Sequence, residues 1–460
     1  MNSSNSPLSM IDLFAGCGGL SLGMEQAGFL PVFVSELNSD AMASYLANRH
    51  HLINGQPFSS HGELRCHDAE ELQGSRLERL IEDLSGIDEF NLKFDTEHGS
   101  TLDVLAGGPP CQGYSGLGHR RSYAVDKEQL PSNRLYVRMA HIIRRVRPRI
   151  FLFENVRGLL TSRWTREGDR RIWPDVVNEF RSIPGYVVRW SLVHAKNYGV
   201  PQNRPRVLLV GIRTDIASGN SLIDADRDPE DAIKCGFLPK GNPLNCPDLV
   251  DVLGDLVDPN IGKIFESKEL PSGRLATTRY PAEPSTEIQR SLRASHHSKQ
   301  SNGLTDHEYS KHAPRIIEKF SHMLQNNGEI PDWAKTRKFS QRLLPQKWGQ
   351  RGPSITATSM PDDYIHFSQP RTLTVREWAR LQLFPDWYEF AGKRTTGGLR
   401  RAGNPREGNF DREVPKFTQI GNAVPVALAK SVGEHFSKIL VSANIETDMP
   451  DEMPSQARRA

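Results

Sequence analysis

Short apolar runs alternate with polar, helix-length stretches along the first 213 residues. The runs are "MIDLF" (Met10 to Phe14), "PVFVS" (Pro31 to Ser35), "LDVLAG" (Leu102 to Gly107), "RIFLF" (Arg149 to Phe153), "YVVRWSLV" (Tyr186 to Val193) and "RVLLVGI" (Arg206 to Ile212). Strand-length runs interleaved with helical segments predict an α/β domain, a parallel sheet covered by helices. Asp68 to Thr101 reads as a helix followed by a polar connection longer than the usual loop, and is treated as an insertion. From Thr214 to about Gln369 the alternation fades into Pro-, Ser-, Asp- and His-containing sequence, which predicts a second domain. Regular patterning returns at "RTLTVREWARLQLFPDWYEF" (Arg371 to Phe390), a predicted helix stopped by Pro385. A last helix is expected from near Val424 to about Leu440, and residues 441–460 lack the apolar content to fold and are expected to form a disordered tail.

The length of 460 residues favours one large domain with a smaller one over a single core. With 37% hydrophobic and 25% charged residues the chain suits a soluble globular protein. No run of 18 apolar residues and no charged-then-apolar leader is present, so no membrane association and a cytoplasmic location are expected. Five cysteines at irregular spacing include no CxxC pair, which argues against a zinc knuckle and a disulfide framework and for free thiols with no metal. The net charge of +3 announces no nucleic-acid binder by itself. Its distribution changes the picture: Tyr114 to Ile150 carries nine Lys or Arg against two acids, and Gly392 to Lys416 seven against three. One such stretch reads as a solvated face, whereas two point towards a polyanionic partner.

Four strand ends and one strand start carry candidate chemistry. In "IDLFAGCGGLSLGMEQAGF" a strand runs into a turn containing Gly16, Gly18 and Gly19 and then a helix, so that backbone can pass close to a cofactor. Glu36 closes the second strand, where an acid in a nucleotide-binding fold accepts hydrogen bonds from ribose hydroxyls. A glycine turn of this kind is also an ordinary packing device. The turn has neither phosphate-loop spacing, so an adenosine-containing cofactor without pyrophosphate fits better. Asp68 is a candidate adenine contact, or a solvated loop acid.

In "GGPPCQGYSGLGHRR" the strand "LDVLAGG" delivers Cys111 to the carboxyl edge of the sheet, and Pro109 and Pro110 stiffen the turn by fixing φ. A thiol held there, with arginines following, is placed and biased towards thiolate as a nucleophile must be. "FLFENVRG" brings Glu154 and Asn155 to the same edge. A partly buried Glu154 with a raised pKa can donate a proton or hydrogen bond to a ring nitrogen, although a salt-bridged structural acid would share this context. "VPQNRPRVLLVG" adds Arg204 and Arg206, two apart and hence on one face.

With "FAGCGG", "PPCQ", "ENV", "QNRPR", "REWARLQLFP" and "QIGNAVP" in this order, the sequence resembles the cytosine-C5 DNA methyltransferases of bacterial restriction-modification type over nearly its whole length. The resemblance implies a doubly wound, mostly parallel, Rossmann-like sheet with a second, smaller target-recognition domain. It implies S-adenosyl-L-methionine as cofactor and, as substrate, a cytosine swung out of double-stranded DNA. Cys111 would attack C6, making C5 nucleophilic towards the methyl group. Glu154 would hold N3 and the exocyclic amine and Arg206 the ring carbonyl, with Arg204 in support. Phe14, Gly16, Gly18, Glu36 and Asp68 would line the cofactor pocket, completed by Asn422 from "QIGNAVP".

Gln112, Ser115, Arg120, Arg121 and Arg134, in the loop from Gly113 to about Arg134 and its flank, would meet DNA. Residues 1–213 completed by 415–440 would then form the catalytic domain, and 214–414 the target-recognition region. A monomer suffices, and a cognate restriction endonuclease on the same site is an expected partner. A tRNA cytosine-C5 methyltransferase and a catalytically silent DNA-binding regulator stay open as alternatives. The long 214–369 region favours DNA over tRNA, and the presence of Cys111, Glu154 and Arg206 counts against a silent protein.

Overall fold

A computed structural model describes residues 7–95, 97–110, 128, 130–165, 167–261, 277–294, 303–336, 341–347, 363–396 and 413–447. Seven strands form the central sheet: β1 (Leu8–Leu13), β2 (Phe29–Ser35), β3 (Arg65–Cys66), β4 (Val104–Gly107), β5 (Ile150–Val156), β6 (Tyr186–His194) and β7 (Pro205–Arg213). Their order is β3-β2-β1-β4-β5-β7-β6, all parallel except β7, which runs antiparallel to both neighbours. Five helices of the first half follow as α1 (Gly19–Glu25), α2 (Ser39–Ala47), α3 (Gly74–Ser85), α4 (Leu135–Val146) and α5 (Ile172–Arg181).

Both faces of the sheet are covered, and alternation along each strand divides the side chains between them. Ile11, Leu13, Phe151 and Phe153 pack with α3, α4 and α5, whereas Met10, Ile150 and Leu152 pack with α1 and the C-terminal helix. Strands buried on both sides need apolar residues at successive positions, which is why they read as continuous runs. The six expected strands are all present, and β3 is the one that patterning missed. Asp68 to Thr101 is no insertion. It holds α3, the crossover from β3 to β4, whose Leu77, Leu80, Ile81 and Leu84 are buried against the sheet, and a small hairpin of Phe94–Asp95 with Gly99–Ser100.

Beyond β7 the described chain has little regular structure until α6 (Pro314–Gln325). The segment expected as a helix over Arg371 to Phe390 forms only α7 (Val375–Arg380). Thr374 and Glu377 make a reciprocal capping box that starts it, and Leu383, with φ of 62°, lies beyond its end. Trp378, Phe384 and Tyr388 share a core with Cys17, Leu22, Phe417 and Ile420, so this segment packs on the first helix and on the C-terminal return.

That return comprises α8 (Lys416–Asn422) and α9 (Val426–Thr447). The last helix takes in the first seven residues of the expected tail, 441–447, and Ala443 on it is buried. It lies very close to α1: a Cβ on Gly23 would come 2.4 Å from Val426 O and from Ala429 Cβ, and one on Gly19 2.4 Å from Val424 O. No helix among the described residues is long and apolar enough to cross a membrane.

Candidate active site

The register of the sheet assembles the site. Cys66, Ser35, Leu13, Gly107 and Phe153 pair in sequence across β3, β2, β1, β4 and β5, so that the residues after them emerge along one edge. From β1 the chain goes to β2 and β3 on one side, then crosses by α3 to β4 on the other. The carboxyl ends of β1 and β4 therefore flank the topological switch point, where ligands bind in open α/β sheets.

On one side of that point lies the glycine turn. Gly16 and Gly18 have φ of 57° and 84°, a region that glycine enters without steric cost, and half-buried Phe14 also has a positive φ of 57°. The Gly16 amide donates to Glu36 Oε2 at 2.8 Å, and the Asn38 amide to Glu36 Oε1 at 2.8 Å. Burial pushes the Glu36 carboxyl up, opposed by these two amides. Each carboxylate oxygen keeps acceptor capacity for a further hydrogen bond. Among the described residues a Cβ on Gly16 would meet nothing within 4 Å, so open space lies in front of the turn.

Asp68 follows β3 and caps the 3-10 turn Ala69–Glu71, its Oδ1 accepting from the Glu70 amide at 2.9 Å. Asn422 is exposed at the end of α8, two residues before the Val424 carbonyl that abuts Gly19. Leu37, next to Glu36 and 72% exposed, was not anticipated; a lone exposed leucine carries no sequence signal.

On the other side, Gly108, Pro109 and Pro110 lead out of β4 towards Cys111, which lies outside the described residues together with Gln112, Ser115, Arg120 and Arg121. Glu154 on β5 is 8% exposed and its carboxylate lies behind that turn: a Cβ on Gly108 would come 2.9 Å from Glu154 Oε2. Asn155 Nδ2 donates to Pro109 O at 3.1 Å and ties the proline turn to the same strand. Arg206 Nε, from the start of antiparallel β7, pairs with Glu154 Oε1 at 2.6 Å, and Arg206 is 7% exposed. Desolvation raises the Glu154 pKa, with Arg206 and then Arg204 acting against it.

Arg204 precedes β7 and takes a different partner set: its Nη2 donates to Gly421 O at 2.6 Å and Ala423 O at 3.1 Å. It thus anchors the C-terminal return beside the site. Gln382 on the 371–390 segment donates to Ile420 O at 2.8 Å and fixes the same return.

Of the expected DNA contacts only Arg134 is described; it is exposed and lies over the Trp164 ring at 6.0 Å. The basic stretches are partly spent within the protein. Arg144, Arg145 and Arg149 pair with Glu179, Glu78 and Asp103. In the second stretch Lys393 and Lys416 pair with Glu413 and Asp306, and Arg394 donates to Glu308 O and Ser310 Oγ. Among the described residues no group of three or more His, Cys, Asp or Glu is placed to hold a metal ion.

Comparison with known proteins bears on what such a site does. Residues 8–438 match the family described as C-5 cytosine-specific DNA methylase. Type II methyltransferase M.DdeI of Desulfomicrobium norvegicum is 27% identical over 454 residues, spanning 96% of this chain and 91% of that protein. Type II methyltransferase M.XorII of Xanthomonas oryzae pv. oryzae is 29% identical over 460 residues, spanning 96% and 87%. A crystal structure assigned as a DNA modification methyltransferase encoded within an Escherichia coli prophage shares the fold, with a TM-score of 0.56 and 21% identity over 94% of this chain and 99% of that one.

Proposed function

The chain belongs to the C-5 cytosine-specific DNA methylase family and is a DNA (cytosine-5-)-methyltransferase, and from that premise we propose how its own residues carry out the reaction. The target is a cytosine extruded from a specific short duplex site, because C5 and C6 are out of reach in the stacked helix. The cofactor is S-adenosylmethionine, which when bound supplies an electrophilic methyl group. The open space before Gly16, the Gly16 and Gly18 backbone and the spare acceptor capacity of Glu36 suit the adenosine part of such a ligand. Phe14 after β1, Asp68 after β3 and Asn422 from the C-terminal return would complete the pocket.

Cys111 thiolate adds to C6 of the extruded ring, and the displaced electron pair makes C5 the nucleophile. Once C5 has gained a methyl group, its proton is lost and the re-forming ring double bond expels the thiolate. Glu154 meets N3 and the exocyclic amine. Its raised pKa suits a carboxyl that donates to N3 as negative charge moves into the ring. Arg206 orients Glu154 and reaches the ring carbonyl, while Arg204 acts as a positioning residue through the 421–423 backbone. The observation that carries this reading is the Glu154–Arg206 pair directly behind Gly108, three residues before Cys111.

DNA contacts fall to Arg134 and to Gln112, Ser115, Arg120 and Arg121, the arginines meeting phosphates. The catalytic domain is assigned to residues 1–213 with 415–440, and target recognition to the region that follows β7. The packing of 371–390 on Cys17, Leu22 and Phe417 favours counting that segment with the catalytic domain. The type II relatives support an enzyme that protects one short site, with a cognate endonuclease as its expected counterpart, and a cytoplasmic monomer belongs to the same proposal. Labelled methyl transfer to duplex DNA and to tRNA tests the substrate: transfer to DNA alone is expected, and transfer to tRNA alone would overturn the assignment.

A further inference from the structure

Behind the glycine turn, on the side away from its open space, lies a buried polar group that the mechanism above does not use. Arg49, two residues past α2, is fully buried and reaches four elements. Its Nη2 donates to Gly18 O at 3.0 Å and pairs with Glu25 Oε2 at 3.2 Å. Its Nη1 donates to Tyr45 O at 2.9 Å and to the Tyr388 hydroxyl at 2.8 Å, and the guanidinium stacks 3.7 Å over the Tyr45 ring. Tyr388 in turn donates its hydroxyl proton to Cys17 O. Two successive carbonyls of the turn are therefore held from behind by one arginine–tyrosine pair. The fit leaves no slack, since a Cβ on Gly18 would come 2.5 Å from Arg49 Nη1.

Tyr388 is itself fixed from α2 through its chain neighbours. Asn48 and Glu389 exchange two bonds, Nδ2 to Glu389 O at 2.9 Å and the Glu389 amide to Oδ1 at 2.8 Å. The Ala391 amide donates to Ser44 Oγ at 2.8 Å. Glu36 holds the front of the turn through the Gly16 amide, and the arginine–tyrosine pair holds the back.

We propose that Arg49 and Tyr388 are positioning residues for the cofactor turn, a strut that makes S-adenosylmethionine affinity depend on the docking of the 388–391 segment onto α2. The proposal rests on reading the turn as the cofactor site. A turn relieved of its rear contacts samples other conformations, and apparent affinity falls by the fraction of time spent in the binding-competent one. Once saturated with cofactor the turn is restored, so the loss falls on cofactor KM and not on kcat.

The test uses the full-length enzyme with Tyr388→Phe, which deletes one hydroxyl and keeps the ring against Phe384 and Phe390, and with Arg49→Lys, which keeps a cation for Glu25. Titration calorimetry with S-adenosylmethionine and steady-state kinetics are measured beside thermal melting of the cofactor-free proteins. The expected result for Tyr388→Phe is a roughly tenfold rise in cofactor Kd and KM, the scale of a buried hydrogen bond lost. Its kcat at saturating cofactor should stay within about twofold and KM for DNA should not change; Arg49→Lys should show the same split, more strongly. Folded variants with wild-type cofactor affinity, or a fall in kcat with KM unmoved, overturn the strut. Wild-type enzyme that binds no S-adenosylmethionine overturns the cofactor reading itself, and the strut with it.

Discussion

Glu154 is a carboxyl whose usefulness depends on what its neighbours withhold. Burial raises its pKa, while Arg206, paired with Oε1, keeps the rise in check. Glu154→Gln keeps the shape but removes the proton that can be shared with N3. Single-turnover methyl transfer is expected to fall by about 10²- to 10³-fold, the range for a lost transition-state donor, with cofactor Kd unchanged. An equal loss in cofactor binding would mean that Glu154 holds the fold instead.

Asp12 of β1 poses a separate question at this scale. Burial pushes its carboxyl up to about 7, with Ser21 Oγ donating to it at 2.5 Å. The unfolded chain releases this proton near pH 4, so between about pH 4 and 7 the unfolded state binds fewer protons and stability falls as pH rises. Asp12→Asn should remove that limb, gaining on wild type by up to roughly 1.4 kcal/mol per pH unit across the window. Urea denaturation midpoints at pH 5 and 7.5 check this, and parallel profiles would contradict it. Glu154 and Arg206 could be singled out from sequence because each sits at a strand end inside a motif, and Glu36 because it closes the second strand. Arg49 could not, because its partners Gly18 and Tyr388 lie 31 and 339 residues away.

Among the elements, the strands announced themselves by apolar runs, and those errors that occurred have local causes. Two residues of β3, Arg65 and Cys66, give no pattern to find, and without β3 the α3 crossover looked like an insertion. The 371–390 helix was overextended because 375–384 is apolar or helix-favouring, whereas the left-handed Leu383 lies beyond its observed end and only six residues form it. The contact of α1 with α9 depends on glycines that sequence showed only as part of a cofactor motif. Gly23→Ala would force a Cβ to within 2.4 Å of Ala429 Cβ. Overpacking there is expected to cost about 1–3 kcal/mol, measured as a lowered melting temperature. An unchanged melting temperature would show that α9 can shift without penalty.

Two buried histidines, His307 and His366, and the half-buried His312 line the contact between the 303–312 and 363–377 segments, where His307 meets Thr374 and His366 faces Glu377. Burial pushes them down to about 4, 4 and 3. The unfolded segment takes up protons from about pH 6.5 downwards while the folded one refuses them, so stability is lost as pH falls from 6.5 towards 4. Hydrogen exchange, corrected for its intrinsic pH dependence, should show these segments losing protection at pH 5 relative to pH 7 while β1, β4 and β5 keep theirs. Equal protection at both pH values would contradict it.

For the molecule as a whole, the order of six motifs predicted one catalytic unit assembled from both ends of the chain. The structure supplies the physical joints: Arg204 to the 421–423 backbone, Gln382 to Ile420, and Tyr388 to Cys17. What the sequence could not convey is target choice, since the region after β7 to which target recognition is assigned above has no periodic pattern. The central claim, covalent cytosine-C5 methylation of DNA through Cys111, is tested most directly by bisulfite sequencing of DNA from a methylation-free bacterial host expressing the chain, beside the same host expressing Cys111→Ser. Cytosines protected within one short motif, and unprotected in the variant, are the predicted result. Protection that persists in Cys111→Ser, or its absence from both, would contradict the account.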